Sequence, residues 1–218
     1  MFDTIILLAG AVEHAALASV LRGHNSQLLV HPVFTVADLA AIESEWLQRA
    51  RLIAFATPAT VPPEAIDQLG FGAYRFHPGS PHYPDAEPAR FALQDGAREF
   101  GATVHRMTPR DAAGPIVDVE MFPVPQDIEL HGLEELALGS MMRMFWRLAG
   151  PLSTQSQPLV QRAMRWEARR EVAADAASAI HPTIRGRGTP GLRHIGSATQ
   201  RRRMALHAVP DATEAVEG

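Results

Sequence analysis

Residues 72–82 read "GAYRFHPGSPH", and the reading of this stretch decides what the chain can be. Ala73, Tyr74 and Phe76 describe a buried strand, after which His77 passes into a turn built from Pro78, Gly79, Ser80 and Pro81. A histidine at the mouth of a strand is a common way to present an imidazole to a ligand. Side chains two apart on a strand share a face, so Arg75 and His77 are expected to reach the same place. A permanently charged guanidinium in a core strand needs a reason, either structural or functional.

Upstream of this stretch, strand and helix patterns alternate. The run "TIILLAGA" from residue 4 is wholly apolar, the mark of a central parallel strand, and a helix is expected over 12–23. A second strand is expected over 26–33, a helix over 35–50, a third strand over 51–57, and a short helix after Pro62 and Pro63, which suit a helix start. The βαβαβ rhythm implies a mostly parallel sheet with right-handed crossovers, whose ligands sit beyond the carboxyl ends of the strands. Downstream, a helix is expected over 87–101 closed by Gly101, a strand over 102–107, and an edge or antiparallel strand over 116–124. A long amphipathic helix follows over 127–150, ending at Gly150, and another over 160–179. The division expected is a main domain over 1–150, a helical segment over 151–181, and an Arg-, Gly- and Pro-rich tail of weak order over 182–218.

Composition narrows the chemistry. The chain has 218 residues, 46% of them hydrophobic, and a net charge of −4, which speaks for a globular protein and against nucleic acid as the main partner. No apolar run approaches the ~18 residues of a membrane span, and the apolar start lacks the basic leader of a secretory signal, so a cytoplasmic location is expected. All 20 basic residues other than histidine are arginine and there is no cysteine, which removes lysine Schiff-base chemistry, thiolate nucleophiles and disulfides. His77, His82 and His105 do not have the spacing of a metal site, and no metal is expected. His105 is expected to face outward from its strand. Met142, Phe145 and Trp146 at helical spacing are expected to include positions buried by the core or by a second copy in a homodimer, not by a cofactor.

Three motifs, "FHPGSPHYP" (76–84), "FALQDGAREFGATVHRM" (91–107) and "GPIVDVEMFPVP" (114–125), together resemble the folate-dependent formyltransferase family, which includes glycinamide ribonucleotide transformylase, methionyl-tRNA formyltransferase and sugar N-formyltransferases. The resemblance is strong over residues 50–150 and one of pattern over 1–50. It implies an α/β fold with a Rossmann-like, mostly parallel sheet and C-terminal helices. It also implies transfer of a formyl group from 10-formyltetrahydrofolate to a small-molecule amine, while charge and hydropathy speak for neither nucleic acid nor membrane as partner. Attack on a formyl carbon builds negative charge on oxygen, so donors must point at it, and a histidine held by a carboxylate handles the proton.

The family uses an Asn, a His two positions later, and an Asp in a following Asp-x-Gly loop. His77 matches the His, but Arg75 stands at the Asn position. In "RDAAGP" the Asp position, counted back from Gly114, is Ala112, and Asp111 lies one place early. The resemblance thus assigns catalytic roles to His77, Asp111 and Arg75. It assigns folate contacts to the loop Thr57, Pro58, Ala59, Thr60 and Val61 together with Gly114, and acceptor contacts to Ser80, Tyr83 and Arg90. The alternative is a catalytically inactive relative that binds a folate, an anion or a partner. In that reading Arg75 pairs with Asp111, or holds an anion where the formyl group would lie.

Overall fold

The computed structural model describes residues 2–110 and 113–167. Six strands form one sheet in the order β2-β1-β3-β4-β5-β6, with β1 Thr4–Leu8, β2 Leu29–Val33, β3 Ala50–Phe55, β4 Ala73–His77, β5 Glu99–Met107 and β6 Ile116–Pro123. The first four strands are mutually parallel, while β5 runs antiparallel to both β4 and β6. This is the mostly parallel α/β sheet expected, with the antiparallel pair placed at one edge.

Alternation along the strands sorts the core into two layers. Ile5, Leu7, Ile53, Phe55, Tyr74 and Phe76 lie on one face, under α1 (Ala11–His24) and α6 (Leu130–Thr154). Ile6, Leu8, Leu52, Ala54 and Ala73 lie on the other, under α2 (Val36–Ala40), α3 (Ser44–Arg49) and α4 (Pro63–Gln68). Helix α6 buries Leu133, Ala137, Met141, Met144, Phe145, Ala149 and Leu152, the three- and four-residue spacing of a single apolar stripe. Phe145 is fully buried, Met142 packs against that core, and Trp146 is 65% exposed.

Several element boundaries differ from the sequence expectation. The helix expected over 35–50 is two short helices. Thr35 and Asp38 form a capping box at the start of α2, and the chain turns at Ala41 and Ile42 before α3. The helix expected over 87–101 is only α5 (Pro88–Gln94): Gly96 takes φ +61°, the left-handed turn that ends a helix, and Glu99–Gly101 pair with β6 instead. Helix α6 continues through Gly150 and Pro151, because Leu152 is buried and the last carbonyls are capped from outside the helix. Residues 160–167 are not helical; the remainder of the helix expected over 160–179, and the tail over 182–218, lie outside the described residues. Among the described residues no helix is long and apolar enough to cross a membrane, and no group of side chains could hold a metal ion.

The external cap is Arg51, a fully buried arginine with, among the described residues, no carboxylate paired to it. Its guanidinium donates to Leu152 O at 2.6 Å, Gln157 O at 3.2 Å and Phe71 O at 3.2 Å, and lies 4.7 Å above the ring of Phe2. Cations are favoured at helix C-termini, where unpaired carbonyls concentrate negative potential. Burial still pulls the guanidinium's proton affinity below its ordinary range. Each buried carbonyl stripped of its donor costs roughly 1–3 kcal/mol, so Arg51→Ala is expected to lose about 3 kcal/mol or more of unfolding free energy in a urea titration. Arg51→Lys should fall between the two, since an ammonium cannot reproduce the planar fork. A loss under about 1 kcal/mol for Arg51→Ala would remove the clamp from the account of this fold.

Candidate functional site

Strand β4 leaves Ala73 on the face beneath α4, and the same alternation carries Arg75 and His77 toward that side, beyond the end of the helix layer. Here a cavity of about 330 Å³ opens at the carboxyl ends of β3 and β4. Its walls are the loop after β3 (Ala56, Thr57, Pro58, Thr60, Val61), the strand end with Arg75, His77 and Pro78, and the loop Pro84–Ala86. His105, Met107, Ala113 and Trp166 complete it.

The loop after β3 is held under strain. Ala56 has φ +47°, a conformation uncommon for a residue with a Cβ, and its N–H donates to Phe76 O. Arg75 explains how the loop stays in place. Its guanidinium donates to Thr57 O at 3.1 Å and to Ala59 O, so it ties the strand end to the backbone of the facing loop. A half-buried guanidinium bound to carbonyls carries no compensating charge, and its partial burial lowers its proton affinity without neutralising it.

His77 is almost fully buried, and its Nε2 lies 2.9 Å from Tyr83 O. A carbonyl can only accept, so Nε2 carries the proton and Nδ1 holds the lone pair of the neutral ring. Burial pushes the imidazole below the ordinary histidine range. The Tyr83 carbonyl and Asp85 oppose that push, and the Arg75 cation adds to it. Desolvation is the larger cause, and the Arg75 cation the smaller.

His105 is the correction in this region. It pairs directly across from Arg75 in the antiparallel ladder, is buried rather than turned outward, and lines the cavity. Burial first, then His77 and Arg75, lower its pKa to about 3, so it is neutral at physiological pH. His82 is exposed and pairs with Glu167.

The remaining assigned residues divide. Thr57, Pro58, Thr60 and Val61 line the cavity; Ala59 contributes its carbonyl to Arg75, and Gly114 its carbonyl to the Trp166 indole N–H. Ser80 is fully buried away from the cavity wall, and among the described residues its Oγ has no partner. The Tyr83 ring packs against Phe100, and Arg90 pairs with Glu87 on the surface, so neither side chain forms part of the cavity. Asp111 and Ala112 lie outside the described residues. His105 and Trp166 are the wall residues that sequence reasoning missed. The alternation in "TVHRM" does put His105 opposite Val104, yet nothing local says that both faces of this strand are covered.

No family model matches the chain. Over 81 residues, 36% of its length, it is 38% identical to the methionyl-tRNA formyltransferase of Rhodopirellula baltica, and the match spans 24% of that protein. Among solved structures, a sugar N-formyltransferase from a Shewanella species superposes with a TM-score of 0.63 at 13% identity, covering 87% of this chain and 84% of that one. An N-formyltransferase from Helicobacter canadensis, in complex with folinic acid and dTDP-3-aminofucose, superposes with a TM-score of 0.54 at 14% identity, covering 77% and 70%. At such identities the structural likeness is one of fold, while the segment shared with the methionyl-tRNA enzyme is a likeness of sequence. Over most of its length this chain has the fold of these formyltransferases, and over that segment it is similar in sequence to one of them.

Proposed function

We propose that this chain binds a reduced folate carrying a formyl group, 10-formyltetrahydrofolate or a close analogue, in the cavity at the ends of β3 and β4, and that its formyl transfer to a small-molecule amine is slow. The observation that carries this reading is the pair of bonds from the Arg75 guanidinium to Thr57 O and Ala59 O. They hold the loop that the family resemblance assigns to the folate. They also commit two donors of the residue standing where the family has its carboxamide. Folinic acid bound to a solved neighbour of the same fold supports the choice of ligand class.

The chain's own groups define what the site can do. His77, neutral and anchored through Nε2–H, offers a lone pair at Nδ1 for the proton of an attacking amine. Arg75 and His105 surround it with positive or neutral groups, and Asp85 is the carboxylate that lines the cavity among the described residues. Stabilising the imidazolium would fall to Asp85, or to Asp111 if its loop brings it near. Loss of one oxyanion donor typically costs about 10²–10³ in turnover. A second reading, a working transferase, is favoured by the donor count: a guanidinium has five N–H groups, and two are engaged here. The others could serve a developing oxyanion.

Two measurements separate these readings. Calorimetric titration with folinic acid should show one site, lost or much weakened when Thr60→Trp fills the cavity; absence of binding to the natural chain would end the folate assignment. In turnover assays with 10-formyltetrahydrofolate and a panel of amino-sugars, amino-nucleotides and amino acids, Arg75→Asn combined with Ala112→Asp should exceed the natural chain by about 10²-fold or more. Robust turnover by the natural chain, abolished in Arg75→Asn, would favour the second reading.

The turn after β4 yields a further expectation. A Cβ on Gly79 would lie 2.5 Å from His77 Nε2 and 2.6 Å from Tyr83 O, the two atoms of the bond that anchors the imidazole. Gly79→Ala should therefore break that bond while the sheet survives. Folding would be near normal by circular dichroism, and the His77 ring signals in an NMR spectrum would shift. Unshifted signals would mean that the turn yields and the anchor is not sterically defined.

A further inference from the structure

After α6 the chain runs as an irregular segment, 155–167, toward the cavity. Leu159 N–H donates to Tyr74 Oη at 2.9 Å, Arg162 N–H to Ile116 O at 2.8 Å, and Glu167 N–H to Pro81 O at 2.9 Å. These bonds lead from β4, to the start of β6, to the loop that follows β4. Residues 160–165 are exposed, and then Trp166 turns inward. Its Nε1–H donates to Gly114 O at 2.9 Å, and its ring meets two imidazoles edge-on, His105 at 5.1 Å and His77 at 5.8 Å between centroids. Trp166 and Glu167 thus join the two loops on either side of the cavity, 113–115 and 80–83.

We propose that Trp166 is a positioning residue of the cavity: delivered by the 155–167 segment, its indole fixes the orientation of the His77 ring and closes water out of the space between His77 and His105. His77 is held at one point, Nε2 on Tyr83 O, and a single hydrogen bond leaves the ring free to swing about it. An indole packed at a steep angle, 73° to the imidazole plane, removes that freedom. The segment bears few buried side chains, so Trp166 is its principal apolar anchor at this end. An element with so little buried area belongs to the least stable part of the structure, so the wall it supplies is separable from the sheet.

The charged surroundings of His77 are otherwise fixed by other elements. Arg75 comes from β4, Asp85 from the loop beyond it, and His105 from β5. On the segment itself Arg162 is paired with Asp118 and Glu167 with His82, while Arg165 is exposed. Removing the indole therefore changes hydration around His77 more than it changes charge. Water restores solvation to the imidazolium, which moves its titration upward, toward the ordinary histidine range.

The chain has three tryptophans, and the other two, Trp46 and Trp146, are exposed. In a Trp46→Phe/Trp146→Phe background Trp166 is the sole indole, and acrylamide should quench it several-fold less than free tryptophan. In the same background, NMR titration of His77, assigned with His77→Gln, should show a midpoint raised by about one pH unit or more in Trp166→Ala. Trp166→Phe, which keeps an aromatic wall, should retain the low midpoint. Circular dichroism should be the same in all three proteins, since changing Trp166 leaves the strands and the Gln157 and Leu159 contacts of the segment in place. An unchanged His77 midpoint in a folded Trp166→Ala protein, or quenching equal to that of free tryptophan, overturns the proposal. Neither readout uses a folate, so the test stands whether or not a folate occupies the cavity.

Discussion

Strand β4 has to serve two faces at once, and the site is a consequence of how that constraint is met. Tyr74 and Phe76 project toward the helices α1 and α6, and Phe76 packs against Phe55 at 5.5 Å and Phe145 at 5.3 Å between ring centroids. Because a strand has a period of two, locking that face locks the other: a slip of one residue would exchange every side chain between faces. The aromatic cluster on the helical side is thus what holds Arg75 and His77 at the cavity on the opposite side.

The site that results is walled mainly by apolar groups and, among the described residues, is poor in negative charge. Two imidazoles are kept neutral mainly by burial, and a guanidinium satisfies itself on backbone carbonyls. The same device occurs at the other end of the sheet, where Arg51 satisfies the carbonyls at the end of α6. At these two arginines, backbone carbonyls take the place that a carboxylate partner holds elsewhere in the chain.

Much of the framework was readable in advance, because its signals are local. Apolar runs marked β1 and β3, the Pro62–Pro63 pair marked the start of α4, and "FHPGSPHYP" placed His77 at a strand end. Two of the misread boundaries belong to elements whose limits are set by distant partners. Glu99–Gly101 have a place in β5 because β6 pairs with them, and α6 runs past Gly150 and Pro151 because Leu152 is buried and Arg51 caps the end. Local propensity is a weak prior when tertiary contacts bear on it.

The order of residues was sufficient for the sheet's mostly parallel character and for the common face of Arg75 and His77, since both follow from chain periodicity alone. It could not show whether Arg75 would meet a carboxylate, an anion or a carbonyl, because that depends on where the loop after β3 lies across the cavity. Nor could it show that His105 is buried or that Trp166 closes the site. One is brought there by antiparallel register and the other by a segment that returns some 60 residues later in the chain, and long-range contacts of this kind leave no periodic trace in the residues that make them.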